Sequence, residues 1–283
     1  MVKLLKMGIK SYIPSKVKKI AKILLNQENK PLDLRKITDN PIEAIYLAKN
    51  KPFIINAEII RCRSSFYQGL AFDENHPAVK TVKLVSNNSE GRKKSNLPLL
   101  DYYNNWQPKN AAQVLGFKRC GSNLEKLRPE EFVYPWDHIK PKEAGNIRKK
   151  KIDRYYKMGV VKDTEFGPMD KQKIEMELLR YTKLYKSISN KGYLVDKDHI
   201  ESFLLTNSMG EYVFFIRGGQ HRMSILSAMG YKYVSVIVSQ IIRKDDVCYL
   251  PHVKNGLFSY NEAKYIFDRI NDGKENKLVN IIS

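Results

Sequence analysis

The sequence predicts an α+β fold in which helices flank a mixed β-sheet. Residues 212–238, YVFFIRGGQHRMSILSAMGYKYVSVIV, have the pattern of a strand, a glycine turn, a helix and a second strand. Apolar side chains recur at helical spacing after Pro168, which predicts a long helix that ends at Gly192. The chain has 283 residues, 42% of them hydrophobic, so it can bury a sizeable core as one large domain or two smaller ones.

The first 26 residues are predicted to form a basic amphipathic helix. Pro14 can open this helix, and Val17, Ile20 and Leu24 then share one face, with lysines around the rest of the wheel. A helix of this kind can lie on an anionic bilayer, where each basic residue contributes about 1 kcal/mol. The alternative is a first helix that packs on the body of the protein and keeps its basic face in water.

The charge balance favours an anionic partner. Lysine and arginine total 50 against 30 acidic residues, which gives a formal net charge of +20. Such an excess suits nucleic acid, a membrane surface, a nucleotide or a phosphorylated substrate without choosing among them. The three cysteines show neither zinc-ligand spacing nor a disulfide framework, and the N-terminus lacks the pattern of a secretory signal. We therefore expect a cytoplasmic protein, peripheral on the inner face of the membrane if the first helix binds lipid.

Residues 27–126 form a predicted N-terminal region that contains both strands and helices. Residues 53–72 are strand-rich, residues 86–98 have the composition of a polar loop, and a helix is expected from Pro108 to Gly116. Tyr102, Tyr103 and Trp106 lie close together in the sequence. They either belong to the core or form a platform for a sugar or a base. We expect this region to supply an acceptor site.

Residues 127–250 form the predicted nucleotide-binding domain, and residues 251–283 a helical extension. A short strand is expected over 132–139, a basic helix or loop over 148–159, and a short helix over 199–205. In the extension, Ser259 is a predicted N-cap with Glu262 at the capping-box position. The buried face of the long helix after Pro168 is predicted to contain Ile174, Leu178, Tyr181, Tyr185 and Ile188.

The turn between the strand and the helix has the features of a phosphate-binding site. Gly218 and Gly219 allow the backbone to turn tightly, and the free N–H groups of the following helix would then point at a ligand. Gln220, His221 and Arg222 come next. Cations are unfavourable at an empty helix N-terminus, but a bound phosphate removes that conflict. The alternative is an ordinary turn whose basic side chains are solvated or paired with a nearby acid.

The segments GGQHRMSILSAMGYKYVSVIV and YTKLYKSISNKGYL resemble the phosphate-binding box and preceding helix of the ParB/sulfiredoxin-like superfamily. The resemblance covers residues 127–243 and implies a ParB/sulfiredoxin-like mixed sheet that binds ATP or CTP. The superfamily includes DNA-partition CTPases, sulfinic-acid reductases and free-serine kinases. Sulfiredoxins have a reactive cysteine where this chain has Gln220, and the stretch after Leu250 is too short for a partition protein's DNA-binding region. The His221–Arg222 pair is closer to the serine-kinase branch.

Phosphoryl transfer also needs a group that orients or deprotonates the acceptor hydroxyl. Glu177 lies at the edge of the apolar face of the long helix, so it is the leading candidate for a base or magnesium ligand, ahead of Glu175 and Asp170. The alternative for Glu177 is a salt bridge to Arg180 or to an arginine of the neighbouring sheet. The candidate catalytic residues are thus Glu177, Glu175 and His221.

These expectations converge on a nucleotide-dependent transferase, kinase-like, that phosphorylates a hydroxyl of a glycan or small molecule. Gly218 to Arg222 would hold the phosphates of ATP, another nucleotide or a phosphoribosyl donor, with Mg²⁺. The GGQHR box together with YYNNWQPKNAAQVLG resembles proteins of bacterial surface-polysaccharide biosynthesis, which implies a lipid-linked glycan acceptor and an anionic membrane surface as partners. The alternatives are a nucleic-acid-binding or nuclease protein of ParB-like fold, and a non-catalytic nucleotide sensor.

Overall fold

A computed structural model describes residues 30–49, 51–86, 97–156, 165–194, 199–274 and 278–281, with the backbone alone over 151–156. The amphipathic helix expected over residues 1–26 lies outside these ranges, as does most of the polar loop expected over 86–98. No helix of the described part of the chain is both long enough and apolar enough to cross a bilayer.

Two sheets contain the eight strands of the described residues. Their bounds are β1 Leu32–Asp33, β2 Phe53–Glu58, β3 Cys62–Ser64, β4 Phe117–Cys120, β5 Ile200–Thr206, β6 Tyr212–Ile216, β7 Tyr233–Arg243 and β8 Val279–Ile281. The main sheet has the order β1-β2-β7-β5-β6-β3, and β4 pairs with β8 in a small second sheet. In the main sheet β5 is parallel to β7 and antiparallel to β6. The α+β class with a mixed sheet is therefore confirmed.

The described helices surround this sheet. Their bounds are α1 Pro41–Ala48, α2 Pro77–Ser86, α3 Pro98–Asn105, α4 Ala111–Val114, α5 Pro141–Tyr156, α6 Lys171–Lys191, α7 Gln220–Ala228, α8 Pro251–Lys254 and α9 Tyr260–Asp272. Short 3₁₀ helices occur at Ile59–Arg61, Asn123–Lys126, Pro129–Glu131 and Lys244–Tyr249.

Alternate side chains of the central strands reach two separate cores, because successive residues of a strand point to opposite faces. On one face Leu204 of β5 and Phe214 of β6 pack with residues of α2, α3, α6 and α7. On the other face Leu205 and Phe215 pack with residues of α4, α9 and the segment 124–136. The sheet is thus covered on both sides. Strands β2 and β3, from the predicted N-terminal region, belong to the same sheet as β5, β6 and β7.

The long helix is confirmed as α6. Its N-cap is Asp170, whose carboxylate accepts a hydrogen bond from the N–H of Gln172, and Gly192 is its C-cap with φ +75°. Of the predicted buried face, Ile174, Tyr181 and Ile188 are buried, whereas Leu178 and Tyr185 are half-buried. Ser259 and Glu262 form the predicted capping box at the start of α9. The basic stretch predicted as helix or loop belongs to α5 up to Tyr156.

The short helix expected over 199–205 is wrong, because this segment is strand β5. It lies between β7 and β6, and each of its two faces is covered by a core. Buried strands covered on both faces have near-continuous apolar runs without alternation, which resemble buried helices. Pairing with two neighbouring strands decides the conformation here.

The short strand expected over 132–139 is also wrong. This segment has no regular secondary structure, although Phe132, Val133, Tyr134 and Trp136 are all buried. Pro135 has no N–H to donate to a sheet ladder, and the N–H of Tyr134 is bonded to Asp137 Oδ2 at 2.9 Å in a turn. The apolar run therefore fills the core beneath the sheet without pairing in it.

Candidate functional site

The glycine turn after β6 brings the start of α7 close to β5. Gly219 is the N-cap of α7 and has φ +80°, in the left-handed region that favours glycine. A Cβ at Gly219 would lie 3.2 Å from Ile200 Cγ1, and one at Gly218 would lie 3.0 Å from Glu201 Oε2. No side chain caps this helix. The first N–H groups of a helix have no partner within the helix, so this end of α7 suits an anion.

Gln220 faces into the protein. It accepts a hydrogen bond from Ser64 Oγ at 2.8 Å and donates to Ser65 Oγ at 2.9 Å and to the carbonyl oxygen of Ile216. The side chain, 4% exposed, therefore fastens the turn to the end of β3. What Gln220 offers a ligand is the backbone N–H.

Glu177 on α6 is held by three cationic or titratable groups. Its Oε2 is bonded to His221 Nε2 on α7, and its Oε1 lies 2.8 Å from Lys173 Nζ and 3.3 Å from Arg180 Nη1. Lys173 and Arg180 are one turn before and one turn after Glu177, so all three share a helix face. The carboxylate and Lys173 are both buried, with side chains 10% and 6% exposed. The predicted salt bridge between Glu177 and Arg180 is present, and the same carboxylate also contacts His221 in the first turn of α7.

The pKa of Glu177 is shifted by opposing effects. Burial raises the pKa. The hydrogen bond to His221 and the charges of His221 and Lys173 lower the pKa by more than burial raises it, and the result is a pKa of about 2. The carboxylate is therefore ionised at neutral pH. A buried, ionised carboxylate that faces a cleft is a feature of functional sites.

A cavity of about 500 Å³ opens beside this cluster. Its walls carry five lysine or arginine side chains and three glutamates, so the formal charge of the lining is positive. The cations are Arg148, Lys173, Arg180, Arg217 and Arg222, and the acids are Glu130, Glu165 and Glu177. His221, Gly218 and Gly219 complete the wall at the start of α7. This volume lies within the roughly 300–1,000 Å³ range of small-molecule sites.

Aromatic side chains form another part of the cavity wall. Tyr67, Tyr103 and Tyr181 are buried there. Burial raises the pKa of all three phenols, so they stay neutral and can donate hydrogen bonds. The ring of Tyr181 lies 4.9 Å from that of His221. Phe66 and Phe166 add apolar surface to the same wall.

The structure brings together some of the residues predicted from the sequence and not others. Glu177, His221, Arg222 and both glycines line the cavity. Glu175, in contrast, is exposed and is not among the lining residues, and Asp170 serves as the cap of α6.

Sequence reasoning missed the buried Lys173, and it missed Arg217, which follows β6 directly. The spacing of Lys173 and Glu177, four residues apart on one predicted helix face, was the available signal. Arg217 carried no comparable signal, because its partner Asp137 lies 80 positions earlier, in the segment wrongly expected to be a strand.

The histidines outside this cavity do not assemble a metal site. Among the described residues, no group of three or more His, Cys, Asp or Glu side chains is arranged to hold a metal ion. His76 is completely buried, stacked on Phe72 with ring centroids 4.6 Å apart, and burial lowers its pKa to about 3. His252 packs beside Phe258 and bonds the carbonyl of Ile139. These two side chains are part of the core.

Comparison with known proteins adds no further assignment, since no family model, curated protein or solved structure matches this chain.

Proposed function

We propose that the protein binds a nucleotide in the cavity beside α7 and transfers a phosphoryl group from it to a hydroxyl. One observation carries this proposal: the ionised Glu177 faces His221 at the N-terminus of α7, inside a cavity of positive charge. Phosphoryl transfer needs mainly positioning, charge neutralisation and one group that orients the acceptor. The cavity contains a candidate for each of these tasks.

Phosphate oxygens would sit at the start of α7. The N–H groups of the first turn and the helix dipole favour an anion, and glycine at 218 and 219 permits close approach of the backbone. Arg222 lines the same wall and offers a planar fork that suits phosphate oxygens. The buried Lys173 adds a point charge.

Glu177 and His221 would act on the acceptor. The acceptor oxygen forms a bond to phosphorus while the bond between phosphorus and the leaving oxygen of the donor breaks. The electron pair stays with the leaving oxygen, and the proton of the acceptor hydroxyl passes to the Glu177–His221 pair. A positioned acid–base group of this kind contributes roughly 10²–10⁴-fold to the rate.

A magnesium ion would have to arrive with the nucleotide, because no group of three or more His, Cys, Asp or Glu side chains among the described residues is arranged to hold one. Mg²⁺ in such sites keeps several waters and takes one or two carboxylates together with substrate phosphates. Glu177 is the carboxylate that contacts the start of α7, and it could hold the ion only by giving up contacts with Lys173, Arg180 or His221. Bound Mg²⁺ would neutralise the charge of the transferring phosphate.

The wider biological setting follows from the resemblance noted above. We propose a divergent ParB/sulfiredoxin-like protein that acts in bacterial surface-polysaccharide biosynthesis, on a glycan hydroxyl and close to an anionic membrane. The turn, α7, β7 and the preceding helix α6 support this, since they occur in the order that the superfamily's box requires. The net charge of +20 supports an anionic surface as a partner.

Calorimetric titration of the full chain tests the proposal, with ATP, ADP, CTP, GTP and phosphoribosyl pyrophosphate each added with and without Mg²⁺. We expect one of these ligands to bind, and its terminal phosphate to be lost slowly to water in the absence of an acceptor. If none binds, the proposed function is wrong. If one binds without any turnover, with or without acceptors, the protein is a nucleotide sensor and the transfer step is wrong.

A further inference from the structure

A second, smaller cavity adjoins the proposed nucleotide cavity. It has a volume of about 200 Å³, and four side chains line both spaces: Phe66, Arg148, Glu165 and Arg217. Its remaining wall comes from the irregular segment after β4 and from α5, including Tyr134, Asp137 and Ile147. We propose that this side cavity is the acceptor subsite and that it takes a small neutral polyol. The proposal rests on the proposed phosphoryl transfer.

The charge balance of the side cavity argues for an uncharged ligand. Two arginines, Arg148 and Arg217, face two acids, Asp137 and Glu165, whereas cations exceed acids in the main cavity. Both arginines are also engaged by the protein. Arg148 Nη1 donates to the carbonyl oxygens of Glu130 and Phe132 at 2.9 and 2.8 Å. An anion would find no surplus charge here.

Arg217 separates the two cavities and is held in place on several sides. Its Nη2 lies 3.6 Å from Asp137 Oδ1, and its guanidinium carbon lies 5.1 Å from the centre of the Phe203 ring and 5.5 Å from that of Tyr134. It therefore stands where a phosphoryl group would pass from donor to acceptor. Its charge can stabilise the negative charge of that group.

Asp137 has the geometry of a hydroxyl-binding residue. Its Oδ2 accepts the N–H of Tyr134 at 2.9 Å, which fixes the carboxylate in place. Its Oδ1 is 3.6 Å from Arg217, longer than a hydrogen bond, so this oxygen can accept one from a ligand. The side chain is 11% exposed, so a ligand hydroxyl bound there leaves bulk water.

The aromatic walls suit the carbon framework of a polyol. Phe66, Phe132 and Tyr134 line the side cavity and give it apolar surface for the C–H groups of a polyol, while acids bind the hydroxyls. The volume is below the roughly 300–1,000 Å³ of pockets for drug-sized ligands. A single polyol or one monosaccharide unit, bound by one end, is thus the size of ligand expected.

Saturation-transfer NMR on the full chain tests this subsite. The neutral probes are glycerol, myo-inositol and methyl α-D-glucopyranoside, and the charged probes are glycerol 3-phosphate and ethanolamine, all with a non-hydrolysable ATP analogue and Mg²⁺. We expect transfer to at least one neutral probe and a dissociation constant raised at least tenfold by Asp137→Asn. Ile147→Trp should have the same effect by narrowing the cavity, and since Ile147 is 46% exposed the fold should tolerate it. Asp246→Asn, at an exposed carboxylate elsewhere, is the control.

Three results would overturn the subsite: transfer to charged probes alone, no transfer to any probe, or neutral binding unchanged in both Asp137→Asn and Ile147→Trp. Binding of the ATP analogue is measured separately by calorimetry. If the analogue fails to bind, the proposed function is wrong whatever the polyols do. If it binds and the polyols fail, only the acceptor subsite is wrong.

Discussion

Glu177 on α6 and His221 on α7 form a hydrogen bond between Oε2 and Nε2, although 44 positions separate the two residues in the chain. The contact depends on the packing of the two helices side by side against one face of the sheet. It places a carboxylate at the N-terminus of α7, where the helix dipole favours negative charge, and pairs His221 with a nearby acid, as the alternative for this turn expected. A bound phosphate would compete with Glu177 for Lys173 and His221, so the carboxylate and the ligand share the same cations.

Glu177→Gln should lower turnover by roughly 10²–10⁴-fold while it preserves or strengthens nucleotide binding. The substitution keeps the shape of the side chain and removes the charge that competes with phosphate. Turnover by single-turnover kinetics and affinity by calorimetry would be compared in the same preparation. Glu175→Gln is the matched control, because Glu175 is an exposed carboxylate on the same helix. Unchanged turnover in Glu177→Gln would make Glu177 a purely structural partner.

Arg222→Ala should weaken nucleotide binding at least tenfold without unfolding the protein. Arg222 is half-buried and lines the cavity beside the start of α7, and a hydrogen bond to a charged group contributes about 1.5–3 kcal/mol. Calorimetry measures the affinity and circular dichroism checks the fold. The control is Arg119→Ala, an exposed arginine of β4. Equal affinity in the folded variant would remove Arg222 from the proposed phosphate site.

The sequence predicted those parts of the fold that depend on local signals. The glycine turn, α6 with its stop at Gly192 and the Ser259–Glu262 capping box all follow from residue type and short spacing. Strand β5 could not be predicted in this way, since its pairing with β6 and β7 decides its conformation. The strand predicted over 132–139 was wrong for a related reason: a buried apolar segment forms a strand only if it pairs with another strand.

The residues of the candidate site also fall into two groups, those with a local sequence signal and those without one. Gly218, Gly219, His221 and Arg222 are neighbours in sequence, so a pattern could find them. Tyr103 was already a candidate for an aromatic platform, and Tyr181 belongs to the predicted buried face of the long helix. Asp137 reaches the side cavity, and Tyr67 the main cavity, through the packing of distant segments. Nothing in their local sequence distinguishes them from other buried or turn residues.

Gln220→Ala should destabilise the fold by about 1–3 kcal/mol, the cost of leaving buried polar groups without partners. The variant loses the bonds to Ser64, Ser65 and the Ile216 carbonyl that fasten the turn to β3. Urea denaturation followed by circular dichroism measures the free energy of unfolding. Gln172→Ala, at an exposed position in the first turn of α6, serves as the control. Equal stability of the two variants would contradict this role for Gln220.

The full chain should bind anionic vesicles more strongly than a chain that begins at Lys30. The prediction rests on the sequence of residues 1–26, whose lysines can meet anionic headgroups while Val17, Ile20 and Leu24 enter the interface. Flotation with phosphatidylserine-containing vesicles at two salt concentrations measures it, and phosphatidylcholine vesicles are the control. Binding should weaken at high salt. If the two chains bind anionic vesicles equally, residues 1–29 do not contribute to membrane binding and the prediction is wrong.

The stability of the protein should fall in acid partly through Glu177. In the folded state the pKa of Glu177 is about 2, below its ordinary value of 4.5, so the unfolded chain takes up the proton first as the pH falls. The stabilisation from its contacts with His221 and Lys173 is therefore fully present above about pH 5 and is lost as the pH falls towards 2. The difference between a pKa of about 2 and one of 4.5 corresponds to roughly 3–4 kcal/mol, at about 1.4 kcal/mol per pH unit.

Other acids titrate in the same window, since the guanidinium of Arg35 lowers the pKa of Asp33 to about 2 against the opposing effect of burial. The informative quantity is thus the difference in unfolding free energy between the natural chain and Glu177→Gln, measured by urea denaturation from pH 7 to pH 3. That difference should shrink as the pH falls, because protonation removes from the natural chain the charge that the variant already lacks. Parallel curves for Glu177→Gln would show that the ion contacts of Glu177 do not stabilise the fold.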